Sequence, residues 1–341
     1  MRYFVGCKHE LHHLEVVFSL SQPRSSNDVA ARADLLAAAA DSCGLHRVEV
    51  AKTRESCLDG VHSARYVRFL RTIYADWVAA YGPPPDGIFP NVFPTMRIGD
   101  RYPEDPVGRV GLHMHDQLAP IHEHTFAAAL EAATIADTAA KAVLQGDRAA
   151  YALCRPPGHH AGRDCGGGAT YLNNAAVAAQ TLLSKAKRVL LVDIDVHHGN
   201  GTQDIFYERD DVHFISLHRD PAHYHPYFWG HAEERGAGPG TGFNRNVPLP
   251  GETDDIAYMA ALDTALQEGM LKSPDALVVS MGFDAHVDDP SKGLRLTTDV
   301  YGRIGQHFAA LNLPTVLVQE GGYNLEMAPR CLSAFLTGFQ S

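Results

Sequence analysis

The chain has 341 residues, 45% of them hydrophobic and 20% charged, with a formal net charge of −11 at pH 7. That length suits one large α/β domain and the composition an ordinary globular protein, while the acidic balance argues against a nucleic-acid binder, which needs a basic face. The opening MRYFVGCKHEL lacks an apolar signal-peptide core, no stretch is apolar for long enough to span a bilayer, and the six cysteines (Cys7, Cys43, Cys57, Cys154, Cys165, Cys331) show no C-x-x-C pairing, so a cytoplasmic protein with reduced thiols and no membrane partner is expected.

A helical pattern over 27–45 opens on the cap-type residues Ser26 and Asn27 and stops at Gly44. RVEVA (47–51) reads as a strand and 63–82 as a helix. Residues 83–124 have no clear period and hold eight of the 20 prolines; such a long irregular stretch predicts a functional rim or dimer-contact loop. A helix over 125–147, a weaker strand over 149–156 and a helix over 173–188 follow. Then come strands at 188–195 and 212–218, a helix at 253–271, a strand at 275–284, a helix at 298–312, a strand at 315–322 and a helix at 328–339. Apolar runs rich in β-branched residues, alternating with helices, predict an α/β fold whose central, mostly parallel sheet is covered on both faces. There is no internal repeat and no boundary, so a single domain over 1–341 is expected.

Four polar clusters follow four of these strands: CRPPGHHAG (154–162), DIDVHHGNG (193–201), GFDAHVDDP (282–290) and QEGGYN (319–324). Parallel strands all end at one edge of the sheet, and ligands bind in the crevice outside that edge, so clusters far apart in sequence are expected to converge. In an extended strand Asp195 and His197 share a face. They offer a carboxylate and an imidazole, and Asp284 is the best third ligand for a catalytic metal site, which keeps an open position. Taken alone, Asp284 reads sooner as a turn or cap residue than as a ligand; beside Asp195 and His197 the ligand reading prevails. Asp193 is either a ligand or an orienting partner. His159 and His160, after a stiff Pro-Pro-Gly turn, are expected to diverge, one toward the reacting centre and one toward a support, as acid/base groups. Alone, a His pair is as readily a surface loop. Tyr323, after Gly321–Gly322, is a candidate hydrogen-bond donor to an oxyanion.

In this order, Pro-Pro-Gly-His159-His160, Asp193-x-Asp195-x-His197-His198-Gly-Asn200-Gly, Gly282-Phe-Asp284 and Glu320-Gly-Gly-Tyr323 resemble the histone deacetylase superfamily, most of all the bacterial acetylpolyamine amidohydrolases and class II deacetylases. The resemblance implies the arginase/deacetylase fold. It further implies zinc on Asp195, His197 and Asp284, His160 as general base, and His159 as its electrostatic partner and general-acid helper. Asp193 and Asn200 would hydrogen-bond the two histidines, and Tyr323 would polarise the carbonyl. Asn200, where many relatives carry Asp, gives His160 a neutral partner. The resemblance also implies structural potassium at Asp193, Asp195, His197, Ser216 and Leu217, with a second monovalent site at Phe206, Arg209, Val212 and Phe243. Gly168 would accept the substrate amide N–H. The substrate would be an N-acylated amine such as an acetylpolyamine, with acetyl-lysine peptides as the alternative, and the 83–124 segment would form a homodimer contact at the active-site mouth.

Two departures concern the substrate wall. Where relatives carry an aromatic residue after Gly-Gly, this chain has Ala169, and the facing aromatic position aligns with His225, so a wider and more polar slot is expected unless Tyr171 or Tyr224 supplies a ring. Mouth carboxylates for a polyamine are offered by Asp100, Glu104, Asp105, Asp116 and Glu123. Two rival readings carry less weight. An arginase-like ureohydrolase needs carboxylates for a second metal, where this chain has Gly199 and Gly282. A non-catalytic acyl-ligand binder is expected to have lost a ligand, base or tyrosine. Two carboxylates and an imidazole would also accept iron(II) or cobalt(II).

Overall fold

The computed structural model describes residues 1–94 and 101–341; Asp100 lies outside the described residues. The strands are β1 (Arg2–Val5), β2 (Val16–Ser19), β3 (Gln22–Ser25), β4 (His46–Glu49), β5 (Ala149–Ala152), β6 (Val189–Asp193), β7 (Val212–Arg219), β8 (Asn244–Leu249), β9 (Ala276–Met281) and β10 (Thr315–Gln319). The helices are α1 (Ala31–Ser42), α2 (Ala64–Tyr81), α3 (Pro106–His113), α4 (Thr125–Leu144), α5 (Asn174–Leu182), α6 (Asn200–Phe206), α7 (Asp255–Met270), α8 (Thr298–Ala310) and α9 (Met327–Gln340).

Eight strands form one sheet in the order β4-β1-β5-β10-β9-β6-β7-β8, every neighbouring pair parallel, while β2 and β3 form a separate hairpin. Continuous apolar strands are buried on both faces because side chains alternate. Val189 and Leu191 of β6 enter a core shared with α2, α4 and α5, while Leu190 and Val192 enter one shared with α1, α7, α8 and α9. The expected α/β architecture is therefore present. β5, β10, β9 and β6 are contiguous in the sheet, so the four polar clusters leave four adjacent strand ends.

Several elements differ from the sequence reading. The 83–124 segment is not wholly irregular: it contains α3, capped by Asp105 with Pro106 at its start. Eight residues are too few to register a helical period. Ile88 and Ile121 pair as an isolated bridge, and Val110, Met114 and Ala119 are buried. α1 starts at Ala31, not at Asn27, because the Asp28 carboxylate is taken up by the buried guanidiniums of Arg32 and Arg155. β8 was not expected from its polar NRNVPL sequence; it sits at the sheet edge, where a proline is tolerated.

Behind the loop between β5 and α5, His62 is buried, with Nδ1 2.8 Å from the Gly162 carbonyl and Nε2 accepting the Asn173 N–H at 2.9 Å. A neutral ring satisfies both, and burial pushes His62, like His213 and His218, down to about 4. The unfolded chain protonates these rings near 6.5 while the folded one does not. Stability is therefore fully present above that value and is lost as pH falls toward 4. At pH 5 the loss is on the order of 2 kcal/mol per ring. The denaturant midpoint should fall between pH 7 and pH 5, and fall less in His62→Asn; an identical slope in the variant would show that His62 does not contribute.

Candidate active site

β6 ends at Asp193, so Asp195 and His197 meet through bends in 194–197 rather than through strand pleating as expected. The Asp195 Oδ1 accepts the His197 backbone N–H at 2.9 Å, and its Oδ2 accepts the Gly321 N–H at 2.9 Å. Asp284, after β9, accepts the Val196 N–H on Oδ1 at 2.9 Å. The His197 Nδ1 stands 3.0 Å from Asp195 Oδ1 and 3.2 Å from Asp284 Oδ2.

One atom from each of these three residues lies within 4.8 Å of the other two. Asp284 Oδ2 is buried with no hydrogen-bond partner. Burial and the neighbouring Asp195 raise Asp284 to about 7. Burial opposes charge on His197, but the adjoining carboxylates of Asp195 and Asp284 outweigh it and raise the ring to about 9. An orphaned buried oxygen beside a second carboxylate and an imidazole fits a divalent cation, and the O/N/O set suits zinc, iron(II) or cobalt(II).

The backbone around this floor must be glycine. A Cβ on Gly282 would stand 2.3 Å from Asp195 Oδ2, and one on Gly321 would stand 2.4 Å from Asp284 Oδ2. A Cβ on Gly199 would stand 2.3 Å from Asp193 Oδ2. Gly199 and Gly282 are the positions where a binuclear site would need extra carboxylates, and the packing leaves no room for them.

His159 and His160 do not diverge as expected. Their ring centroids are 4.1 Å apart, although of the two it is His160 that lines the cavity. The His159 Nδ1–H donates to Asp193 Oδ2 at 2.9 Å, and the His160 Nδ1–H donates to Asn200 Oδ1 at 2.6 Å. Burial opposes charge on His159, but Asp195 and Asp193 outweigh it and lift the ring to about 10. For His160, burial and then His159 hold the ring well below its ordinary value. A carboxylate behind one ring and an amide behind the other thus separate a cationic from a neutral imidazole, the arrangement that assigns acid and base roles.

A cavity of about 360 Å3 opens above these groups, lined by His160, Gly168, Ala169, His197, His225 and Tyr323 among others. Gly168 and Ala169 are both left-handed, with φ of 56° and 62°. Asp116, from the 83–124 segment, accepts the Gly168 N–H at 2.7 Å and lies 3.5 Å from His225 Nε2, so one carboxylate ties the two walls together. Tyr224 lines the cavity and stacks on His197 at 5.2 Å, supplying a ring beside His225. Tyr171 does not line it; its hydroxyl donates to the Pro120 carbonyl within the core. Tyr323 is positioned by Asp289, which accepts its backbone N–H at 2.8 Å. Burial and Asp284 hold its phenol well above the ordinary value, so it stays a donor.

The remaining sequence candidates lie outside the cavity lining. Asp193 and Asn200 stand behind the histidines. Ser216 faces Asp193 across β6 and β7, next to Leu217. Phe206, Arg209, Val212 and Phe243 gather at the opposite end of β7, where the Arg209 N–H donates to the Phe206 carbonyl and the Phe214 N–H to the Phe243 carbonyl. His198 is buried against His218 and 3.1 Å from Asn246 Oδ1. Sequence reasoning left Asp289, Arg32 and Glu320 without roles. Asp289 and Glu320 lie inside motifs already singled out, but which groups they would touch depends on neighbouring strands.

The histone deacetylase domain family matches residues 23–339. The chain is 43% identical over 332 residues to the acetylpolyamine amidohydrolase of Burkholderia pseudomallei, covering 96% of each. It is 40% identical over 322 residues to acetylpolyamine amidohydrolase 2 of Pseudomonas aeruginosa, covering 93% of this chain and 92% of that one. A crystal structure of acetylpolyamine aminohydrolase from Burkholderia pseudomallei superposes with a TM-score of 0.95 at 41% identity, covering 100% of this chain and 99% of that chain.

With His197 protonated up to about 9 and Asp284 up to about 7, a divalent cation must displace protons, so affinity should rise with pH up to about 9. Calorimetric titration of chelator-treated protein with zinc, in buffers of different ionisation enthalpy, should give one ion per chain and net proton release at pH 7. Two ions per chain would contradict the single-site reading.

Proposed function

We propose, because the chain belongs to the histone deacetylase family, that it is a metal-dependent amidohydrolase that cleaves the amide of an N-acylated amine, an acetylpolyamine in the first place. The observation that carries this is the pairing of a neutral His160 and a cationic His159 over the Asp195–His197–Asp284 donor set, in a cavity that also receives Tyr323. Acetylpolyamine is the substrate class in the names of the relatives.

Asp195, His197 and Asp284 would hold the divalent cation, whose chemistry when bound is to polarise the amide carbonyl and to acidify a water. Asn200 accepts from Nδ1 of His160 and leaves its Nε2 lone pair free toward the cavity. His160 takes the proton of the attacking water through that nitrogen. Asp193 holds His159 as an imidazolium beside it. The Tyr323 phenol donates to the carbonyl oxygen as negative charge develops there. The Gly168 carbonyl accepts the amide N–H. When the C–N bond breaks, a protonated histidine of the pair gives its proton to the leaving amine, and acid and free amine depart.

The wall formed by Ala169 and His225 leaves a slot wider and more polar than one closed by two aromatic rings, with Tyr224 the remaining ring. This favours an acyl or amine arm bulkier than a linear acetylated aminoalkyl chain. Structural potassium on Asp193, Asp195, His197, Ser216 and Leu217, and a second monovalent ion at Phe206, Arg209, Val212 and Phe243, belong to the same reading. So does a homodimer through 83–124, where Val92 and Phe93 are half exposed. The protein is read as a single cytoplasmic domain over 1–341. No helix among the described residues is long and apolar enough to cross a membrane.

A panel of acetylated and longer-acyl amides, from polyamines to acetyl-lysine peptides, assayed with zinc, tests the activity. Release of acid from N-acylated amines is expected, and no turnover across the panel overturns the reading. Linear acetylpolyamines preferred by a wide margin would remove the wider-slot element alone. In His160→Ala, kcat should fall about 10²–10⁴-fold, and in Tyr323→Phe about 10²–10³-fold, with the fold intact by circular dichroism. Near-normal turnover in either variant contradicts its assigned role.

A further inference from the structure

We infer that Glu320 is a positioning residue for the catalytic histidine pair, acting as a hydrogen-bond bridge between three strand ends. It is the first residue after β10 and is wholly buried. Its Oε2 accepts the backbone N–H of Gly158 at 2.7 Å and that of His159 at 3.2 Å. Its Oε1 accepts the hydroxyl of Ser280 at 2.9 Å, and Ser280 is a buried residue of β9. The side chain touches neither the cavity nor the metal donor atoms.

The turn it holds has few other restraints on its donor side. The His159 carbonyl is taken by the N–H groups of Gly201 and Thr202 at the start of α6, at 3.0 and 3.1 Å. The N–H groups of Gly158 and His159 are held by Glu320 alone among the described contacts. Gly158 is closely packed, since a Cβ there would stand 2.5 Å from the Asn174 backbone nitrogen. Both imidazoles hang from this turn. Their angles to Asp193 and Asn200 therefore depend on a carboxylate supplied by a different strand. Loss of the acceptor leaves two buried N–H groups unsatisfied, which drives the turn to rearrange. A displacement of about 1 Å at reacting groups lowers rate by about 10²-fold.

This role needs acceptor geometry rather than negative charge. A glutamine satisfies it, with its carbonyl toward the two N–H groups and its amide N–H toward the Ser280 hydroxyl. Zinc-loaded Glu320→Ala should bind one metal ion per chain, keep KM within about 3-fold and lose about 10- to 100-fold in kcat, as expected for a misplaced acid/base pair. Glu320→Gln should recover most of that loss. The downfield proton resonance of the His159 Nδ1–H donated to Asp193 should shift in Glu320→Ala and return in Glu320→Gln. A folded Glu320→Ala with wild-type kcat and an unshifted resonance overturns the inference, as does a Glu320→Gln impaired as deeply as the alanine variant. If Glu320→Ala does not fold, Ser280→Ala takes its place: a shifted resonance at unchanged KM supports the bridge, and an unshifted one overturns it. The inference rests on the amidohydrolase reading, and the resonance separates the two. Wild-type protein without turnover defeats that reading, whereas the resonance reports histidine placement whether or not any substrate is cleaved.

Discussion

Two carboxylates, Asp195 and Asp284, are buried side by side at the ends of β6 and β9, and much of the surrounding structure follows from that juxtaposition. Like charges in a low-dielectric interior repel strongly, and burial itself disfavours each of them. The protein answers with oriented dipoles and cations: backbone N–H groups of Gly321, His197 and Val196 point at the carboxylate oxygens, and the imidazoles of His197 and His159 stand beside them. One oxygen is still left without a hydrogen bond. A divalent cation held by these donors would complete that balance.

The crowding also explains where side chains are absent. Glycines 199, 282 and 321 sit where a single added carbon would strike an aspartate oxygen. They let neighbouring backbone approach the floor closely enough for its N–H groups to serve as donors. The same close approach excludes the extra carboxylates that a second metal would require. Backbone packing thus shapes the floor and leaves space for one donor set at these positions.

Around the floor, the site is assembled by groups that act through others. Asp193 and Asn200 assign unlike protonation to two adjacent histidines, Asp289 holds the turn of Tyr323, and Asp116 links the Gly168–Ala169 wall to His225. The Asp289–Tyr323 link joins adjacent strand ends, those of β9 and β10, whereas His159–Asp193 and His160–Asn200 reach from the end of β5 to that of β6 across the ends of β10 and β9. Acid/base chemistry at neutral pH requires such supports, because adjacent histidines without distinct partners would titrate alike.

Much of this was legible in the sequence. Apolar runs long enough for strands, each ending in a polar cluster, dictate a parallel sheet with one chemically active edge, because parallel strands finish on the same side. The residue types of Asp195, His197 and Asp284 supply the donor set of a candidate metal site, and Pro-Pro-Gly before His159 dictates a fixed turn. Sequence periodicity could not register α3 and α6, which are short, or the edge strand β8, whose NRNVPL sequence is polar and carries a proline. Strand pleating gave the wrong reason for the meeting of Asp195 and His197, because hydrogen bonds from Val196 and His197 bend the chain after Asp193. Only the tertiary structure decided that His159 and His160 lie side by side, that Tyr224 rather than Tyr171 faces the cavity, and that Glu320 reaches back to the histidine turn. Each of these depends on which strand ends are neighbours, and strand order is set by packing across the whole sheet rather than by any local run of residues.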